Sequence, residues 1–140
     1  MDDWGTDVGV CQRFGKTSEG APELPTRTAV KQRVLVQAPA APPTAATLLL
    51  LMGGNGQLGI YSNGSLQRDS HFLARVRHLL MDRGHVVVLV DTPSDRRDLS
   101  GNFRESGEHA ADIGAVIAHV RGAFGKPVWL VGHSAERIRR

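Results

Sequence analysis

Apolar positions fall into short runs separated by polar and glycine-rich stretches, and the spacing within the runs alternates between two kinds. Lys31-Gln32-Arg33-Val34-Leu35-Val36 predicts a short strand, ended by the proline-rich Ala38-Pro39-Ala40-Ala41-Pro42-Pro43 loop. Thr47 to Met52, Val86 to Val90 and Val128 to Val131 are apolar throughout, the pattern of strands buried on both faces of a sheet. Between them, Asp69 to Arg83 places Phe72, Leu73, Val76, Leu79 and Leu80 on one helical face, with Asp69 or Ser70 as cap and Gly84 as terminator. Ser106 to Phe124 repeats the pattern with Ile113, Ile117, Val120 and Phe124, ended by Gly125 and Pro127.

Three apolar strands alternating with two amphipathic helices predict an α/β fold, a parallel (doubly wound) sheet with helices on both faces. Residues 1 to 25, with Gly5, Gly15, Gly20, Pro22 and Pro25, are expected to be a flexible leader, and 26 to 140 one domain. A chain of 140 residues is long enough for one domain and short for two. The polar run Thr92 to Glu105 is expected to be a loop.

Composition narrows the function classes. A net charge of +3 comes from scattered Lys and Arg, and aromatic residues make up 5% of the chain without basic interleaving, so no nucleic-acid platform is expected. The single Cys11 can form neither an intramolecular disulfide nor a metal site alone. Met1-Asp2-Asp3 does not open a secretory signal and the apolar run near Leu48 is too short for a membrane span, which makes a cytoplasmic protein the default expectation.

The run Leu48 to Gly59, LLLLMGGNGQLG, carries G-x-G-x-x-G at Gly54, Gly56 and Gly59. In a dinucleotide site these glycines lead straight into a helix whose N-terminus meets the pyrophosphate, and an acid binds the ribose roughly 20 residues on. Here Gly59 is followed by Ile60-Tyr61-Ser62-Asn63-Gly64-Ser65, a turn sequence, and Asp91 lies 32 residues past Gly59. The spacing disfavours a nucleotide-binding oxidoreductase module, which stands as an alternative reading beside a non-catalytic interaction fragment.

The last strand delivers Gly132-His133-Ser134, the first half of a G-x-S-x-G nucleophile elbow, with Glu136 in place of the second glycine. Together with Gly53 to Leu58, Val90-Asp91-Thr92-Pro93-Ser94-Asp95-Arg96, and Glu108-His109-Ala110-Ala111-Asp112-Ile113 through Val116-Ile117, the chain from about Arg27 to Ser134 resembles the α/β-hydrolase family. The resemblance implies a serine hydrolase acting on an ester or related small-molecule acyl substrate, without cofactor or metal. Ser134 would be the nucleophile, and N–H groups of Gly54 or Asn55 and of Ala135 would form the oxyanion hole.

The family order places the acid and the histidine base after the nucleophile, but only six residues follow Ser134 and they include no histidine. The reading is therefore an incomplete, truncated hydrolase fold with an inactive site and with its last strand exposed at a sheet edge. His71, His78 and His119 fall within helices, and His133 flanks the serine. His109 and Asp112 are three apart on one helix, without a further ligand cluster. Asp91, Asp95, Asp98 and Asp112 are expected as loop or capping acids, with Arg96 and Arg97 pairing with them at the surface.

Overall fold

The computed structural model describes residues 19–99 and 101–132. Strands β1 (Glu19–Gly20), β2 (Glu23–Arg27), β3 (Val30–Gln37) and β4 (Thr47–Leu51) precede helix α1 (Phe72–Asp82). Strand β5 (Val86–Pro93), a 3-10 turn (Gly101–Glu105), helix α2 (Gly107–Phe124) and strand β6 (Val128–Gly132) follow. The sheet order is β1-β3-β5-β4-β6, with β2 also on β3. β4 pairs in parallel with both β5 and β6, while β3 runs antiparallel to β5.

The uninterrupted apolar runs feed two cores, because successive side chains of a strand point to opposite faces. Val34, Val36, Leu49, Val86, Val88 and Val90 face one side and pack with Ile113, Val116 and Val120 of α2. Leu35, Leu48, Leu50, Val87 and Leu89 face the other and pack with Leu73 and Ala74 of α1. Neither face of β4 or β5 meets solvent, so no polar alternation appears in their sequences.

The α/β class, the parallel centre and the helices on both faces match the sequence expectation. The expected loop Thr92 to Glu105 instead holds the end of β5 and the 3-10 turn, and no residue of β6 is buried although its run was expected to be covered on both faces. The sheet is mixed, since β3 and its neighbours β1 and β2 are antiparallel. β1 and β2 share the outer edge of β3, one against Val36–Gln37 and the other against Val30–Arg33, so residues 19–20 and 23–25 are strand where a leader was expected. Pro25 sits there because an edge strand leaves one side unpaired and needs no donor. The remainder of the expected leader, residues 1–18, lies outside the described residues.

Helix α1 starts at Phe72 with His71 as N-cap and no side-chain cap bond, in place of a start capped by Asp69 or Ser70. The delay has a cause in the preceding chain. Gln67 and Arg68 donate their N–H groups back to the carbonyls of Gly59 and Leu58, at 2.9 and 3.0 Å, which holds the backbone out of a helix until it has passed them. The second helix follows expectation more closely, with the Ser106 side chain accepting from the His109 N–H and Gly125 closing the helix at φ 68°. Gly84 likewise follows α1 at φ 90°.

Candidate active site at the strand ends

Registry brings three strand ends to one level. Leu51, the last residue of β4, pairs with Val90 of β5 on one side and Gly132 of β6 on the other. The glycine loop from Met52, the carboxylate of Asp91 and the chain leaving Gly132 therefore emerge side by side. β4 connects through α1 to β5, whereas β5 connects through α2 past β4 to β6. Such a reversal of direction leaves a crevice outside the carboxyl ends of the strands, the usual ligand position in open α/β sheets.

The glycine loop is built by backbone hydrogen bonds. Gly56 N–H donates to the Gly53 carbonyl at 3.1 Å, closing a β-turn over Gly54 and Asn55. Gly54 has φ 62° while Asn55 does not have positive φ, which is the type II′ pattern that demands glycine at its first central position. Gly56, at φ 82°, has no room for a side chain, since a Cβ there would lie 2.6 Å from Cδ1 of Leu99. The Asn55 side chain accepts from Gln57 N–H at 3.0 Å, and its carbonyl accepts from Leu99 N–H at 2.8 Å.

Asp91 anchors the loop to the sheet. Its Oδ1 accepts from the N–H groups of Leu58 at 3.0 Å and Thr92 at 2.8 Å, and its Oδ2 accepts from Ile60 N–H at 2.9 Å. Asp91 lies within β5, not in a loop as expected, and its carboxylate faces the glycine loop and accepts from that loop's backbone. A ribose-binding acid needs free lone pairs, so this arrangement counts against a dinucleotide site. The chain past Gly59 also forms an Ile60–Leu66 bridge and turns, with the first helix at Phe72, leaving no helix N-terminus to receive a pyrophosphate.

Arg104 reaches across from the 3-10 turn and donates Nη2 to the carbonyls of Met52 at 3.3 Å and Gly54 at 2.7 Å. Burial pushes its pKa down from the ordinary guanidinium value. Sequence reasoning placed Arg104 in a featureless polar loop, and nothing local marks it out. Gln57 also ties the loop down: its side-chain amide donates to the Arg97 carbonyl and accepts from Arg68 at 3.1 Å.

His109 and Asp112 are not brought together as a pair. Asp112 is fully buried and accepts from Nε and Nη2 of Arg27, at 2.8 and 2.9 Å, and from the Thr26 hydroxyl at 2.6 Å. Arg27 also spans Asp95 at 3.0 and 3.2 Å, so Arg27, not Arg96 or Arg97, is the partner of these acids. Arg96 instead lies over the Phe103 ring, 4.2 Å from its centroid. Phe103 also packs against His109 at 5.3 Å.

The cleft of about 550 Å³ beside the strand ends is lined by Leu51, Arg104, His109, Ile113, Ile117 and Leu130, among others. Trp129 and Leu130 of β6 are 64% and 52% exposed, and β6 pairs only with β4 among the described strands, as the edge position implied. Among the described residues no group of three or more His, Cys, Asp and Glu could hold a metal ion, and no helix is long and apolar enough to cross a membrane. Of the expected site residues, Gly54 and Asn55 lie in the loop just described; Ser134, Ala135 and the flanking His133 lie outside the described residues.

Taken together, the mixed sheet, its two helix layers and the loop over the strand ends form an α/β-hydrolase-like fold. Fourteen chains of known structure match it. One is XC6422 from Xanthomonas campestris, described as an α/β serine hydrolase without lid, with a TM-score of 0.51 and 20% sequence identity. That match covers 84% of this chain and 51% of the other, so this chain spans about half the length of that hydrolase. At this identity the likeness shows the fold. No protein-family model and no curated protein matches the sequence.

Two predictions follow from the site's electrostatics. Asp91→Ala strands the N–H groups of Leu58, Ile60 and Thr92, and hydrogen bonds to a charged acceptor contribute about 1.5–3 kcal/mol each, so urea unfolding should show a loss of at least about 3 kcal/mol. Burial holds the imidazoles of His109 and His119 below the usual 6.5, so the unfolded chain takes up their protons first as pH falls. Their contribution is present above pH 6.5 and declines below it, and His109→Gln with His119→Gln should flatten the stability profile in that window. Arg27 holds the Asp95 carboxyl below its usual 3.8, so a second decline belongs below that pH.

Proposed function

We propose that this chain carries the nucleophile and oxyanion-binding part of a serine hydrolase acting on a small-molecule ester or related acyl substrate. The observation that supports it most is the pairing of Leu51 with Gly132, which starts the glycine loop and the Gly132-His133-Ser134 segment from adjacent parallel strand ends. A serine two residues past Gly132 is then within a few residues' reach of the N–H groups of Gly54 and Asn55.

In the proposed reaction the Ser134 Oγ attacks the acyl carbon, its proton passes to an imidazole base, and the carbonyl oxygen becomes an oxyanion. N–H groups of Gly54 or Asn55 and of Ala135 donate to that oxygen. The leaving alkoxide takes the proton from the imidazolium, and water then releases the acid from the acyl-enzyme. By the family resemblance, the base and its carboxylate partner follow the nucleophile in the chain. The six residues after Ser134 hold no histidine, so the 140 residues alone are proposed to turn over esters negligibly. No cofactor or metal enters this chemistry.

The exposed Trp129 and Leu130 on the β6 edge favour a second reading, a fragment that binds another protein there. A variant that needs no general base separates the two. Ser134→Cys in a Cys11→Ser background supplies a thiol that ionises near pH 8.5 without assistance. With 4-nitrophenyl acetate, its thiolate should form a C–S bond as 4-nitrophenolate leaves, seen as one acetyl group at position 134 by mass spectrometry. A working oxyanion donor is worth about 10²–10³ in rate, so acylation of the folded chain should outrun that of the urea-unfolded chain by at least about tenfold. Equal rates would sink the hydrolase reading and leave the interaction fragment.

A further inference from the structure

We propose that Arg104 is a positioning residue for the oxyanion site, selecting the peptide orientation that presents the Asn55 N–H as a donor. The inference rests on the hydrolase reading of the glycine loop and names which of its two candidate N–H groups is set by a side chain.

The tip of the loop is the type II′ turn over Gly54 and Asn55. Its central peptide joins Gly54 to Asn55, and in a trans peptide the carbonyl and the N–H point in opposite directions. Arg104 Nη2 holds the Gly54 carbonyl at 2.7 Å, so the Asn55 N–H is directed away from the guanidinium. The same nitrogen reaches the Met52 carbonyl at 3.3 Å and thereby fixes the peptide at the start of the loop. Among the described residues, the N–H groups of Gly54 and Asn55 have no acceptor, although every other N–H from Gly56 to Leu58 is engaged.

A turn of this sequence has an alternative. Rotating the central peptide converts type II′ into type I′, which requires positive φ at both central residues. Glycine and asparagine are the residues that accept that conformation, and they are the two present here, Gly54 and Asn55. The flipped turn would aim the Asn55 N–H at Arg104 and the Gly54 carbonyl away from it. The contact from the half-buried guanidinium to the Gly54 carbonyl opposes that flip, since Arg104 would then face an N–H and keep only the Met52 carbonyl as acceptor. Of the nearby acids, Asp95 and Asp112 are held by Arg27, and Asp91 by the loop backbone.

The test uses the full chain with Ser134→Cys and Cys11→Ser. Adding Arg104→Met should slow acylation by 4-nitrophenyl acetate about 10- to 100-fold while leaving alkylation by iodoacetamide, which develops no oxyanion, within about twofold. A fall in both reactions together, or in neither, would overturn the assignment. Should Arg104→Met fail to fold, Arg104→Lys, which keeps a cation without the planar fork, should lose acylation by at least about threefold at unchanged alkylation. If the folded parent acylates no faster than its unfolded chain, the hydrolase reading fails first. Amide NMR decides the Arg104 assignment in that case too. Loss of the guanidinium should shift and broaden the Gly54 and Asn55 signals through exchange between turns, with Leu58 and Ile60 unmoved, and unchanged spectra would contradict it.

Discussion

The carboxylate of Asp91 at the end of β5 accepts three backbone N–H groups, two of them from the glycine loop that follows β4. Parallel strands hydrogen-bond along their length but leave their carboxyl-terminal loops free, and this contact ties one such loop to its neighbour. Once Leu58 and Ile60 are held, the chain has five residues, Gly53 to Gln57, in which to pass from Met52 to Leu58, and positive φ at Gly54 and Gly56 supplies the two reversals needed. Leu99 fills the space beside Gly56, so the loop is backed by packing as well as by charge.

Around that anchor the charges are sorted by partner. Arg27 gathers Asp95 and the fully buried Asp112, linking β2, the segment after β5 and α2. An ion pair of this kind contributes less by attraction than by the penalty for breaking it, which makes the placement of β2 across α2 specific. Arg104 is left to serve carbonyls. The consequence is a loop whose acceptors are taken from below by a cation while its N–H groups at Gly54 and Asn55 stay open, an arrangement suited to stabilising negative charge.

Much of the sheet was legible because its central strands bury both faces: the runs at Thr47 and Val86 cannot be amphipathic, the equally apolar run at Val128 forms the exposed edge strand β6, and the helices between them show 3.6-residue stripes. β1 and β2 escaped notice because Glu19-Gly20 and Glu23-Leu24-Pro25-Thr26-Arg27 are too short and polar for a pattern, and edge strands of that kind are defined by their partner, β3. The antiparallel sense of β3 was equally invisible, as Val34-Leu35-Val36 reads the same in either direction. The glycine spacing allowed two functions, and the turn after Gly59 was the local clue that separated them. Asp91 carried a usable signal, a lone acid closing an apolar strand. Arg104 carried none, since its importance lies in carbonyls about fifty residues earlier in the chain.

The glycine loop is clamped at one end and open at its tip, a contrast that residue-resolved amide hydrogen exchange on the full chain reads directly. Leu58 and Ile60, held by Asp91, should exchange at rates set by opening of the β4–β5 sheet, while Gly54 and Asn55 exchange at nearly the rate of an unstructured peptide. Protection of Gly54 and Asn55 equal to that of Leu58, or rapid exchange at Leu58 and Ile60, would contradict it.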